Sequence, residues 1–168
     1  MNKKTGKAVN GTGLDATALL TADHENVKQL FKEYEQLAEQ RAAPEKREAL
    51  AAVICAELTI HAKIEEEIFY PAIREVLGDE DMLSEAVVEH SAAKDLIGQL
   101  ADMSASEELF DAKVKVLGEQ IEHHVEEEQG EMFPKVEASK LDTAELGRRL
   151  YLRRQELVRE LDIPLVAL

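Results

Sequence analysis

His61-Ala-Lys-Ile-Glu65, running on as Glu66-Glu67-Ile68-Phe69-Tyr70-Pro71, decides how this chain folds, because it returns 63 residues later as His124-Val-Glu-Glu-Glu128 and closes on Met132-Phe133-Pro134. In each copy His and Glu stand four residues apart, a spacing that puts both on one face of a helix. Apolar residues flank each pair at intervals alternating four and three, which marks the inward seam of a helix in a bundle. One seam reads Ile54, Leu58, His61, Glu65, Ile68, Ala72, and the other Phe110, Val114, Leu117, Ile121, His124, Glu128, Met132. Histidine and glutamate therefore occupy core positions.

Two further helices echo each other in the same way. His24, Lys28 and Leu30 align with His90, Lys94 and Leu96, on seams Leu20, His24, Val27, Phe31, Tyr34 and Leu83, Val87, His90, Ala93, Ile97. The chain reads as two related helical hairpins. Periodicity predicts helices over 15–41, 45–76, 81–103, 107–138 and 143–161. Pro44 suits a helix start, Gly78 a helix stop, and Ser104 and Ser106 a cap, while Asp142 with Glu145 caps the fifth helix. Short connections favour antiparallel neighbours. The expected fold class is all-α, an up-down-up-down four-helix bundle with an additional C-terminal helix. Residues 1–14 form a flexible start, 15–138 the bundle, and 139–168 the accessory helix and tail. Leu146, Leu150, Leu157, Val158 and Leu161 suit docking of that helix on the bundle or on a protein partner, packing on the bundle being favoured, and the apolar tail Pro164-Leu165-Val166-Ala167-Leu168 suggests an additional contact between subunits.

Composition agrees with one helical domain of 168 residues: 45% hydrophobic, 33% charged, eight Gly, four Pro and no Trp. A net charge of −15 disfavours nucleic acid and anionic membrane as partners, and Lys3, Lys4 and Lys7 are too few to reverse that. No apolar run approaches the ~20 residues of a membrane span, and the first residues lack the apolar centre of a signal peptide. The single Cys55 cannot form an internal disulfide and reads as a small buried hydrophobe. A cytoplasmic location is expected.

Residues equidistant from a turn lie at similar heights on antiparallel helices, which share a rise of ~1.5 Å per residue. His24 and His61 are centred on the first turn, Glu65 and His90 on the second, and His90 and His124 on the third. His24, His61, Glu65, His90, His124 and Glu128 should therefore converge at one level inside the bundle. Isolated carboxylates there would cost several kcal/mol unless paired, protonated or bound to metal. Two related hairpins supply two equivalent ligand sets, so two ions are favoured, with Glu65 and Glu128 bridging, His24 and His61 on one ion, and His90 and His124 on the other. The competing reading is a hydrogen-bonded polar network without metal. His123 falls off the seam and is assigned to the surface; Glu66, Glu67, Glu126 and Glu127 are expected in solvent, and Lys28 and Lys94 at the seam edge. Tyr34 and Tyr70 have hydroxyls that could hydrogen-bond or gate the pocket, but ordinary amphipathic packing is favoured for both.

The pattern His24, His61-x3-Glu65, His90, His124-x3-Glu128, with HAKIEEEIFYP and HHVEEEQGEMFP around its paired motifs, resembles the hemerythrin-like (HHE) cation-binding family. The resemblance covers roughly residues 15–138. It implies a non-haem centre of two iron ions, carboxylate- or oxo-bridged, that binds dioxygen or senses oxygen, iron, nitric oxide or peroxide. Oxygen-carrying members have His-x3-His on the third helix, where this chain has His90 and then Lys94, and an Asp in the last motif, where this chain has Glu128. A more open and symmetric centre is implied. Three functions stand at this point: a binder or sensor of dioxygen or a related small oxidant; an enzyme decomposing hydrogen peroxide or reducing nitric oxide; and an iron-storage or structural metal bundle, which lacks the Glu-x2-His pattern of ferritins.

Overall fold

The Asp15 carboxylate accepts the Ala18 N–H and opens the first helix, α1 (Ala16–Glu39). Pro44 stands in the first turn of α2 (Pro44–Ile64), where a missing N–H costs nothing. That helix continues through a π-turn (Glu65–Phe69) into α3 (Tyr70–Leu77). Gly78, in the left-handed conformation at φ 63°, stops it, and the Asp79 side chain caps α4 (Glu80–Ala101). Next come α5 (Phe110–Glu127), a second π-turn (Glu128–Met132) and α6 (Phe133–Ala138). Asp142 accepts the Glu145 N–H at 3.0 Å and begins α7 (Thr143–Glu160). The computed structural model describes residues 13–162; nearly all of the expected flexible start and the apolar tail lie outside them. Among the described residues the chain is all-helical, with α2–α3 and α5–α6 each continuous through its π-turn so that five helices result, and no strand; no helix is long and apolar enough to cross a membrane.

Each π-turn precedes a proline, Pro71 or Pro134, and the cause is local. A proline ring inside an α-helix collides with the carbonyl four residues back and offers it no N–H. Widening the turn relieves this: Tyr70 N–H bonds Glu65 O, and Phe133 N–H bonds Glu128 O, both five residues back. The extra residue rotates everything downstream by about 100°. Ile68 and Ala72, expected on the seam, are therefore only half-buried, while Phe69, Tyr70 and Ile73 take the core.

Two other expectations are corrected. Val87 is 48% exposed, and Ala86 faces inward in its place; both fit alternating four-three spacing, and the small residue suits the closer approach. The fourth helix begins at Phe110 without a serine cap. The Ser104 hydroxyl and Ala105 N–H are instead engaged by Glu48 of α2, each at 2.7 Å, which holds the preceding turns.

α7 packs on α1, α2 and the first π-turn, burying Leu146, Leu150, Leu157 and Val158; Leu161, expected to join them, is exposed. Gly147 permits this docking, since a Cβ there would stand 2.7 Å from Leu14 O and 2.8 Å from Ala16 N. Cys55 is half-buried beside the core, and its burial raises the thiol pKa to about 11. Buried side chains form two apolar clusters, one including Leu20, Phe69, Ala86 and Met132, the other Val27, Leu58, Ala93 and Leu117. Between them on every one of these helices lie the histidines and glutamates of the repeats.

Candidate metal centre

All six candidate ligands are buried, Glu65 and Glu128 almost completely. His24 comes from α1, His61 from the end of α2, His90 from α4 and His124 from α5, while each glutamate is the first residue of a π-turn. The histidines turn Nε2 inward. His24 and His61 approach each other at 3.1 Å through these atoms, as do His90 and His124. Glu65 reaches across, with Oε1 2.8 Å from His61 Nε2 and Oε2 3.0 Å from His90 Nε2. Glu128 does likewise, 3.3 Å from His24 and 3.0 Å from His124. One ligand atom each from His24, His61, Glu65 and Glu128 lie within 4.8 Å of one another, and the same holds for Glu65, His90, His124 and Glu128. The two sets share both carboxylates.

Outward, every Nδ1 meets an acceptor: His24 meets Gln129 Oε1 at 2.8 Å, His61 Asp23 Oδ2 at 3.2 Å, His90 Glu66 Oε1 at 2.9 Å, and His124 a Glu89 oxygen. Such partners fix the ring and commit the Nδ1 proton, leaving Nε2 free to bind a cation. Each partner is also the chain neighbour of a candidate ligand on another helix: Asp23 beside His24, Glu66 beside Glu65, Glu89 beside His90, Gln129 beside Glu128.

In the metal-free chain these groups answer one another's charge. Burial alone would drive the proton off His61, but the Glu65 carboxylate and the bond to Asp23 outweigh it and raise its pKa to about 10. His124 is raised to about 12 against the same burial by Glu128 and Glu65. Burial opposes ionisation of Glu65, yet the surrounding imidazoles hold it well below the usual carboxylate range. For Glu128, burial and the like charge of Glu65 are likewise overcome by His124 and His24. The arrangement fits a cation. Glu65 Oε1 and Glu128 Oε2 are buried with no donor in hydrogen-bond geometry, although an imidazole nitrogen stands close to each. Lone pairs that converge without bonding one another are what shared ions require.

For Tyr70 the less favoured expectation holds: the side chain is buried, but it hydrogen-bonds within the centre rather than only packing. Its hydroxyl donates to Glu128 Oε1 at 2.5 Å and Glu65 Oε2 at 3.1 Å, and lies 3.3 Å from His90 Nε2. Burial and the two carboxylates raise its pKa well above the ordinary tyrosine value. The π-turn carries it inward, and the proline after Tyr70 was the available signal. Its counterpart in the repeat, Phe133, stacks on His24 with centroids 5.8 Å apart.

Glu66 and Glu67 are not simply solvated: Glu66 also binds Lys94 at 2.6 Å, and Glu67 binds Arg153 of α7 at 2.7 Å. Tyr34 packs on Phe110 and donates to Asp111. His123 is at the surface, where it pairs with Glu127 and Glu89. Beside the ligand level a cavity of about 390 Å³ opens, lined by Val27, Leu58, Ala93, Ile97 and Ile121 with the four histidines.

A profile of the hemerythrin HHE cation binding domain matches residues 15–136. The chain is also similar to a protein described as a DNA nickase from Nostoc sp., 32% identical over 115 residues, which are 68% of this chain but 31% of the relative. It thus spans about a third of the length of that curated protein. A crystal structure of a hemerythrin HHE cation binding domain-containing protein from Mycobacterium kansasii superposes with a TM-score of 0.74 at 25% identity, covering 88% of this chain and 89% of the other.

Proposed function

We propose that this chain, which belongs to the hemerythrin HHE cation-binding domain family, holds two non-haem iron ions on four histidines and two glutamates and uses them to bind or sense dioxygen or a related small oxidant. The observation that carries this is the pair of four-residue ligand sets sharing Glu65 and Glu128, with every histidine held from behind. We read the ligand-bearing helices as an up-down-up-down bundle; the alternation of the two apolar clusters around the polar level supports that order.

In this reading His24 and His61 hold one ion, His90 and His124 the other, and Glu65 and Glu128 contact both. Bound iron would supply one-electron redox changes and open positions for a small ligand. The protein's own part is to fix four imidazoles, to shield the centre with the apolar wall of the cavity, and to hold a proton on the Tyr70 hydroxyl between the carboxylates. That held proton also favours a second reading, turnover of peroxide or nitric oxide, which would show as rapid oxygen release from peroxide or loss of nitric oxide. Nicking of DNA is not carried over from the Nostoc protein: the match covers a third of that protein, and a net charge of −15 opposes a nucleic-acid partner.

The test is metal content per chain on protein produced with iron, with visible absorption before and after dioxygen and peroxide. About two irons per chain are expected; His61→Ala or Glu128→Ala should lower that content, and His123→Ala should leave it unchanged. No bound metal, or equal loss from all three variants, would overturn the reading.

A further inference from the structure

The two halves of the centre differ at Tyr70 and Phe133, at Glu66 and Gln129, and where α7 touches one of them. Asp23 and Glu89 are equivalent in the repeat: each precedes a candidate ligand, and each meets the Nδ1 of a histidine on another helix, His61 and His124 respectively. Glu89 is partly open to solvent and meets His123, His124 and the Glu127 carboxylate, none of them a guanidinium. Asp23 is buried, and its second oxygen faces the guanidinium of Arg154 of α7, with Nε 3.7 Å from Oδ1. Arg154 is itself buried, donates from Nη2 to Glu57 Oε2 at 2.7 Å, and lies beyond the residues matched by the family profile. A guanidinium is buried only where carboxylates compensate it, and here it joins one on α2 to one on α1.

We propose that Arg154 is a positioning residue for the ion position formed by His24 and His61. It holds the Asp23 carboxylate so that Oδ2 fixes the His61 ring, a support from α7 that Glu89 and His124 on the other position lack. The inference rests on the metal reading above. Without the guanidinium, Asp23 has only the His61 Nδ1–H to hold its carboxylate in place, and a turn of the side chain would relax its grip on the ring. Loss of such an outer partner lowers metal affinity by about 10–100-fold. The Arg154–Glu57 pair is neutral as a unit, so removing both charges leaves the net field at the ions nearly unchanged and isolates the positioning effect.

The test compares iron-loaded parent, Arg154→Met/Glu57→Gln and Asp23→Ala, each checked for helicity by circular dichroism, against excess chelator. In either variant one ion should leave about 10–100-fold faster than in the parent while the other leaves at the parent rate. Adding His124→Ala to the double variant should remove most of the remaining ion. Arg153→Met is the control: Arg153 ties the same helix to Glu67 but touches no histidine partner, so both of its ions should leave at the parent rate. Unchanged release in both variants, parallel acceleration of both ions, or the same selective loss in Arg153→Met would overturn the proposal while leaving the centre intact. A parent chain that binds no iron would overturn the metal reading and this inference together.

Discussion

Loading this centre with a divalent metal near neutral pH should expel protons, and the amount follows from the histidines. In the metal-free chain His61 titrates at about 10 and His124 at about 12, so at pH 7 both imidazoles carry the extra proton between carboxylates that keep it there. Freeing His61 of that proton at pH 7 costs roughly 4 kcal/mol, a thousandfold reduction in apparent affinity at its ion position. With one histidine of this kind in each ligand set, close to one proton should leave per ion, and apparent affinity should rise about tenfold per pH unit from 6.5 to 8.5. The assay is anaerobic ferrous titration in weakly buffered solution with a pH indicator, repeated against a competing chelator at several pH values. Affinity flat with pH and no proton release would refute the reasoning. The same groups set the stability of the metal-free fold. His61 and His124 bind protons more tightly folded than unfolded, so their contribution is full below the ordinary histidine value of 6.5 and is lost as pH rises toward 10 and beyond. Glu65 and Glu128 are lowered, so theirs is present above 4.5 and lost on acidification. Considering these four groups alone, metal-free stability should be greatest between these limits, and chemical denaturation across pH measures it.

Gly147→Ala should destabilise the chain by about 1–3 kcal/mol, because the new methyl meets backbone rather than a movable side chain. For a chain of this size that lowers the melting temperature by about 2–4 °C per kcal/mol, and a variant melting within a degree of the parent would mean α7 does not approach α1 so closely. Tyr70→Phe leaves two buried carboxylates without their hydroxyl donor and should cost the metal-free protein about 1.5–3 kcal/mol in urea unfolding. The loaded protein should lose less, since ions would then occupy those oxygens; an equal loss in both forms would argue that the hydroxyl bond persists beside the ions.

The ligand level was legible because six residues broke apolar seams at related spacings, and spacing maps onto position when a helix is regular. It failed where the helix is not. Ile68 and Ala72 lie off the expected seam, and Tyr70 enters the centre, because the π-turn adds a residue to the turn, which periodicity alone does not reveal, although Pro71 marks the place. Val87 and Ala86 both satisfy four-three spacing and the apolar pattern favours Val87, yet Ala86 is the residue that faces inward. Glu66 is expected in solvent yet holds His90, because a residue one position from a seam looks exposed until the neighbouring helix is in place; Asp23, Glu89 and Gln129 carry no signal of their own in the sequence. Arg154 lay furthest from reach. Its partners Asp23 and Glu57 are 131 and 97 residues away, and nothing local in α7 distinguishes it from Arg153.

Tyr70 and Phe133 occupy the same place in the two repeats and differ by one oxygen atom. The shared carboxylates are therefore served from one side only: a hydroxyl from the first repeat reaches them, and the second repeat offers a hydrocarbon ring against His24 instead. Burial and those carboxylates keep the hydroxyl proton in place, so the asymmetry is one of hydrogen bonding rather than of acid supply. Exchanging the two residues, Tyr70→Phe with Phe133→Tyr, would move the donor to the other repeat and leave the composition unchanged.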